Sequence, residues 1–76
     1  MAEIDSISWR KLEKFLLSYG CVFVREKGDH RVYSKSGLVR PLIVPQYSRI
    51  PAFIVLNNLR VLGISKKEFL KKIKNL

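Results

Sequence analysis

The chain has 76 residues, with 15 Lys and Arg against six Asp and Glu, which gives a formal net charge of +9 at pH 7. A chain this short buries only about 60% of its unfolded surface, which excludes a second domain, and we expect residues 1–76 to form a single domain. The hydrophobic fraction of 47% is that of a folded protein and excludes a disordered chain.

Membrane, secreted and metal-dependent classes are also disfavoured. No apolar run reaches the ~18 residues that a membrane span needs, and Glu3 and Asp5 stand where a signal peptide carries basic residues. We therefore expect a soluble, cytoplasmic protein that does not contact a membrane. The single cysteine, Cys21, excludes an internal disulfide, and one Cys with one His cannot build a zinc site, so we expect neither a metal nor another cofactor.

The first predicted element is a helix. Its apolar side chains recur at steps of three and four residues, at Trp9, Leu12, Leu16 and Tyr19. Ser8 is the expected N-cap, and Gly20 is the residue expected just beyond the C-terminal end. Cys21 follows directly, and we expect it to be a small buried side chain rather than a nucleophile.

Three β-strands are predicted next, over residues 21–27, 30–35 and 38–44. Only Gly28-Asp29 separates the first two strands, which predicts a tight hairpin in which Gly28 supplies the positive φ of a primed turn. Pro41 falls inside the third strand. Because proline cannot donate a ladder hydrogen bond, it places that strand at an edge or at a bulge.

Two helices are predicted after the sheet. Apolar positions at helical spacing mark the second helix at Phe53, Leu56, Leu59 and Leu62. Pro51 suits its first turn, Gly63 ends it, and the spacing of Ser65 and Glu68 predicts a capping box that begins a short third helix. The fold class is therefore α+β: a helix, a three-stranded antiparallel sheet, a helix and a short C-terminal helix, with helices covering one face of the sheet.

The positive charge is concentrated in one part of the chain. Residues 1–29 carry five basic and five acidic side chains, whereas residues 30–76 carry ten Lys or Arg and a single Glu, so the whole excess of nine lies there. Such clustering favours a polyanionic partner, either a nucleic acid or an acidic protein. The alternative is a solvated surface that only keeps the protein soluble.

His30 is the single histidine, and it stands directly after the predicted turn at the first position of a strand. An imidazole exchanges a proton near neutral pH, and the end of a hairpin is accessible to a substrate, so His30 is a candidate general base. The alternative is a surface histidine without a role.

Two tyrosines lie among basic residues. Tyr33 stands between Arg31 and Lys35, and Tyr47 stands two residues before Arg49. Stacking of an unpaired base on an aromatic ring, with phosphates held by Arg and Lys, is the usual way to bind single-stranded RNA. For Tyr33, packing against its own sheet is an equally good alternative, and Tyr47, predicted in a loop, is the better candidate.

Several segments together resemble one family: Ser8-Trp9-Arg10-Lys11 at the first helix, VFVREKGDHRVY over residues 22–33, Val44-Pro45, and LRVLGIS over residues 59–65. The chain resembles a HicA-type toxin, the small mRNA interferase of a type II toxin-antitoxin pair, over nearly its whole length. The resemblance implies the fold of a double-stranded-RNA-binding domain and a catalytic histidine in the Gly-x-His motif, which is His30. Tyr47 stands where many members of the family carry a second histidine.

The resemblance implies a metal-independent endoribonuclease that cleaves mRNA. In that reading His30 takes the proton of a ribose 2′-OH, the oxygen attacks the adjacent phosphate, and Lys27, Arg31 or Arg49 stabilises the added negative charge. It also implies an acidic antitoxin of the HicB type that covers His30. Two alternatives stay open: a non-catalytic RNA-binding module, and a basic interaction module that only docks an acidic partner.

Overall fold

A computed structural model describes residues 7–76. Glu3 and Asp5, on which the argument against a signal peptide depends, lie outside the described residues. Along the described part the elements are α1 (Trp9–Ser18), β1 (Val22–Lys27), β2 (His30–Ser34), β3 (Leu42–Pro45), α2 (Ala52–Leu62) and α3 (Lys66–Ile73). This order confirms the predicted α+β class and the predicted succession of elements.

Helix α1 begins and ends where the sequence predicts. The Oγ atom of Ser8 accepts a hydrogen bond from the backbone N–H of Lys11 at 3.3 Å, which satisfies one of the free donors of the first turn. Gly20 follows the helix with a φ of +86°. The buried face of α1 consists of Leu12, Phe15 and Leu16, which pack into the core.

The sheet is antiparallel, with the strand order β1-β2-β3. Tyr33 on β2 and Leu42 and Val44 on β3 point to the face covered by α1, and all three are fully buried in the core. Every residue of β1 is exposed, whereas Val32 and Ser34 on the opposite face of β2 are half-buried. Val24 forms a bulge in β1, because the pairing jumps from Phe23 opposite Tyr33 to Arg25 opposite Val32.

Strand β3 is shorter than predicted: it covers Leu42–Pro45 rather than residues 38–44. Leu38 instead donates its N–H to the carbonyl of Lys35 in a turn, and Val39 is almost fully exposed. Pro41 lies just before the strand instead of inside it, which removes the missing ladder donor from the sheet. Pro45, at the other end, is the last strand residue and the Cα partner of His30.

The two C-terminal helices begin and end close to their predicted limits. Pro51 precedes α2, Gly63 ends it with a φ of +76°, and the Oγ atom of Ser65 accepts from the N–H of Glu68 at 3.1 Å to begin α3. The carboxylate of Glu68 accepts a hydrogen bond from the Tyr19 hydroxyl at 2.5 Å, which links α3 to the end of α1.

The apolar face of α2 is rotated from the predicted one. Leu59 is buried as predicted, but its buried neighbours are Val55 and Asn58, whereas Phe53 and Leu56 are exposed. The helix lies along β3, and this contact determines which of its faces enters the core. No helix in the described part of the chain is both long and apolar enough to cross a bilayer.

Candidate active site

The β1–β2 hairpin determines where His30 lies. Lys27 and His30 are Cα partners, so only Gly28 and Asp29 form the loop. Gly28 has a φ of +60°, whereas Asp29 has a negative φ, which fits a type II′ turn with glycine at its first central position. The predicted primed turn is confirmed. It makes His30 the first residue of β2, and the side chain of His30 is about half exposed.

Asp29 orients the imidazole. The Nδ1 atom of His30 lies 2.9 Å from Oδ1 of Asp29, and the two side chains are 47% and 65% exposed. An Nδ1–H donated to this carboxylate leaves the lone pair of a neutral imidazole on Nε2. In the neutral imidazole, this contact therefore leaves Nε2 as the nitrogen that can accept a proton.

A backbone hydrogen bond connects the turn to the segment after β3. The N–H of Gln46 donates to the carbonyl of Asp29 at 2.7 Å, and Tyr47 follows directly. The carbonyl of Tyr47 in turn accepts from the N–H of Trp9 at 3.0 Å, at the start of α1. Tyr47 is therefore held close to the His30 end of the sheet, and its side chain is 41% exposed.

A cleft of about 720 Å³ lies between β3 and α2, and His30 lines it. This volume is within the range of sites that bind small organic molecules, ~300–1,000 Å³. The floor is apolar and includes Ile43, whereas polar side chains come from both sides: Arg40 from the loop before β3, and Asn57 and Arg60 from α2. Among the described residues, none of the twelve that line the cleft is acidic.

One face of α2 forms a wall of the cleft. Phe53, Leu56, Asn57 and Arg60 recur at steps of three, one and three residues, which puts them on one side of a helix. They belong to the face that is turned away from the core. Phe53 is 72% exposed although it is one of the largest apolar side chains in the chain.

Asn58 attaches this wall to the sheet. Its amide is almost fully buried, and Nδ2 donates to the carbonyl of Ile43 on β3 and to that of Ile54 in its own helix, both at 3.2 Å. The bond to Ile43 satisfies a carbonyl on the outer edge of the sheet, which would otherwise be left without a partner. This hydrogen bond therefore joins the α2 wall of the cleft to Ile43 in its floor.

Arg31 is part of the fold rather than of the cleft. It lies on the face of β2 that packs against α1, where Nη2 is 3.0 Å from Glu13, Nη1 is 2.8 Å from Glu26, and Nε donates to the Tyr33 hydroxyl at 3.0 Å. Its guanidinium also lies 4.1 Å from the ring centroid of Phe23. Each of its three nitrogens has a partner within the fold and its side chain is only 19% exposed, so the structure places Arg31 in this cluster, whereas the sequence predicts a phosphate contact.

Tyr33 is likewise a core residue. Its ring is fully buried, and its hydroxyl donates to the carboxylate of Glu13. Burial, and then the hydrogen bond to Glu13, raise the pKa of Tyr33 to about 12. Neither face of the ring can receive a nucleobase, so of the two alternatives for this residue the structure selects packing within the sheet.

The three remaining basic residues of the predicted site differ in their position relative to His30. Lys27 is exposed on β1 as the direct cross-strand neighbour of His30. Lys35 follows the far end of β2, five residues or ~16 Å of extended chain from His30, and is half-buried. Arg49 is exposed in the loop between β3 and α2. Of the three, only Lys27 is shown beside His30.

Of the twelve described residues that line the cleft, only His30 is a predicted site residue. The others include Arg40, Phe53, Asn57 and Arg60. The two arginines belong to the basic excess after residue 30, but their charge alone does not distinguish them from the other cations there. Phe53 was predicted in the buried stripe of α2. No signal in the sequence shows that α2 turns this face outwards.

Cys21 takes no part in this site. It is buried, as predicted, and burial raises the pKa of its thiol. Within residues 7–76, no three His, Cys, Asp or Glu side chains are grouped as metal ligands.

Comparison with known proteins assigns the chain to a family. Searches among curated proteins and among solved structures found no match. The sequence model of one family, described as the HicA toxin of bacterial toxin-antitoxin systems, matches residues 9–64, from the start of α1 to the residue after Gly63. This range is most of the chain, and it includes the hairpin, His30, and the strand β3 and helix α2 that flank the cleft. The protein therefore belongs to the HicA family, and it is the toxin of a toxin-antitoxin system, with an antitoxin as its partner.

Proposed function

We propose that this toxin is an endoribonuclease that cleaves mRNA and that His30 is its general base. The observation that supports the proposal best is the position of His30: its Nδ1 atom is held 2.9 Å from the Asp29 carboxylate, and the imidazole lines a cleft with two arginines. A positioned base beside cations matches the needs of RNA cleavage, because RNA carries its own nucleophile.

The proposed reaction begins at the ribose 2′-OH. Nε2 of His30 takes the hydroxyl proton while the 2′ oxygen forms a bond to the adjacent phosphorus. The bond between phosphorus and the 5′ oxygen of the next nucleotide then breaks, which leaves a 2′,3′-cyclic phosphate. The protonated imidazole, or water, returns a proton to the 5′ oxygen. This sequence requires no metal ion, since neither the nucleophile nor the leaving group needs one.

Cations near His30 stabilise the extra negative charge on the phosphorus centre. Lys27, opposite His30 in the hairpin, and the cleft residues Arg40 and Arg60 are the candidates supported by their positions. Arg31, which the sequence suggested for this role, is held by Glu13 and Glu26. Arg49 remains a candidate in the loop after Tyr47.

We also propose that the antitoxin is an acidic protein of the HicB type that covers the cleft. The lining carries arginines and, among the described residues, no carboxylate, so an acidic surface would complement it. An antitoxin seated there would cover His30 and exclude RNA from the base.

The test is cleavage of single-stranded RNA by purified protein, the His30→Ala variant and a Lys74→Ala control, whose exposed lysine lies outside the cleft lining. We expect His30→Ala to lose about 10²- to 10⁴-fold in cleavage rate with RNA affinity unchanged within a few fold. Wild-type protein should leave a 2′-deoxy substrate intact and should remain active in EDTA. Full activity of His30→Ala, or cleavage of the deoxy substrate, would overturn the mechanism.

Two other results would favour the two alternative functions. Salt-sensitive RNA binding without cleavage under any condition would identify a non-catalytic RNA-binding module. Binding to the acidic antitoxin without measurable RNA affinity would identify a basic interaction module.

A further inference from the structure

We propose that Phe53 is the platform on which an unpaired nucleobase stacks, and that Arg40 and Arg60 contact the phosphates of the same strand. This inference rests on the proposed function for its substrate class, RNA, and narrows that class to RNA that is single-stranded at the cleft. It assigns an RNA-binding role to a residue that takes no part in the proton transfer.

The exposure of Phe53 is the first support. Its side chain is 72% exposed, at the second position of α2, and within residues 7–76 no other aromatic ring packs against it. The core of this small protein takes Val55 and Leu59 from the same helix instead. A large ring left in water contributes little to folding, so its faces are available to a ligand.

The surroundings of the ring are the second support. Phe53 lines the same cleft as His30, together with Arg40 and Arg60 and, within the described residues, with no acidic side chain. An aromatic platform beside cations is the arrangement with which proteins hold single-stranded nucleic acid: the ring accepts any base, and the cations follow the backbone.

The spacing along α2 is the third support. Asn57 is four residues, or about one turn, from Phe53, and Arg60 is seven residues or ~10 Å along the helix axis. Asn57 can both donate to and accept from the edge of a base. One nucleotide on Phe53 would therefore place its base edge toward Asn57, with the neighbouring phosphate toward Arg60.

An unpaired base, rather than a duplex or an apolar peptide, is the occupant that these contacts favour. In a double helix both faces of each base are already stacked, so no face is free for Phe53. An apolar peptide would gain from Phe53 and Leu56, but it would have to desolvate Arg40 and Arg60 without neutralising them.

The test is the binding of labelled single-stranded oligoribonucleotides to His30→Ala protein, in which no cleavage interferes. We expect Phe53→Leu, which removes the ring but keeps an apolar side chain, to weaken binding about 5- to 100-fold. Phe53→Tyr keeps the ring and should bind within about twofold of the parent. Leu17→Ala removes an exposed apolar side chain outside the cleft and should have no effect.

A second ligand and a series of salt concentrations separate base stacking from phosphate contacts. On an oligonucleotide of the same length with abasic nucleotides, Phe53→Leu and the parent should bind equally, because no base is left to stack. Arg40→Gln and Arg60→Gln should each reduce the slope of log affinity against log salt by about 0.7, whereas Phe53→Leu should leave that slope unchanged.

Three outcomes would overturn the inference: normal RNA binding by Phe53→Leu, an equal loss on abasic RNA, or an effect confined to antitoxin binding. Failure of the proposed function is distinguishable, because these measurements do not depend on cleavage. A ring-dependent affinity in a protein that never cleaves RNA would support the base platform and refute the nuclease.

Discussion

The imidazole of His30 and the carboxylate of Asp29 are 2.9 Å apart although they are neighbours in the sequence. Adjacent residues in a strand point to opposite faces of the sheet. Asp29 meets His30 because it is the last residue of a two-residue turn rather than a strand residue. The hairpin therefore supplies both the accessible base and the group that orients it.

Replacing Asp29 should reduce the rate of RNA cleavage without weakening RNA binding. Asp29→Asn removes the charge that holds Nδ1–H, and we expect kcat to fall roughly tenfold with KM unchanged. The effect is moderate because the pair is exposed to water. Steady-state kinetics would measure it, and Asp29→Glu, which restores a carboxylate, should recover part of the loss. A rise in KM at constant kcat would instead place Asp29 in substrate binding.

Replacing Arg31 should destabilise the fold. Arg31→Gln leaves Glu13 and Glu26 without their shared cation, and we expect the free energy of unfolding to fall by about 2 kcal/mol. Arg25→Gln is the matched control, because Arg25 is exposed on the same hairpin and should change stability by less than about 0.5 kcal/mol. Urea unfolding compares the two. Equal stability of both variants would show that the Arg31 cluster does not stabilise the fold.

We expect the ionisation of Tyr33 to destabilise the folded protein at alkaline pH. Its pKa is about 12 in the folded protein and 10.0 as the reference for an exposed tyrosine, so the folded state holds the phenol proton more tightly. The resulting stabilisation is complete below pH 10 and is lost as the pH rises from 10 to about 12. The size of this stabilisation is roughly 3 kcal/mol, because the two pKa values differ by about two and one pKa unit corresponds to about 1.4 kcal/mol.

Tyr33→Phe isolates this effect, because lysines that titrate over the same range are present in both proteins. The unfolding free energy of the wild type, taken relative to that of Tyr33→Phe, should fall as the pH rises from 9 to 12. A difference that stays constant over that range would contradict the raised pKa.

Replacing Asn58 should loosen the wall of the cleft. Asn58→Leu replaces the amide with an apolar side chain of similar size and leaves the carbonyl of Ile43 without this donor, and we expect the free energy of unfolding to fall by about 1 to 3 kcal/mol. Asn57→Ala is the control, because its side chain is exposed and should leave thermal stability almost unchanged. If Asn58→Leu unfolds at the same temperature as the wild type, the hydrogen bond to β3 is not what holds α2 in place.

Much of the fold could be predicted because its signals are local. The Oγ atom of Ser8 caps α1 by accepting from an N–H only three residues away, and Gly28 belongs to a turn of two residues, so each signal lies next to the structure that it determines. Strand β3 was predicted less well. Its apolar pattern begins at Leu38, but Pro41 and the turn after Lys35 delay the pairing until Leu42.

The sequence by itself determined the order of elements, the basic second part and the placement of His30 at the end of a hairpin. Only the tertiary structure decided which side chains accompany His30. Arg31 and Tyr33 point inward because the register of β2 against β3 places them on the face covered by α1, where both contact Glu13. Phe53 points outward because Asn58 attaches the opposite side of α2 to β3. Both depend on contacts between segments 15 or more residues apart in sequence, which no local pattern encodes.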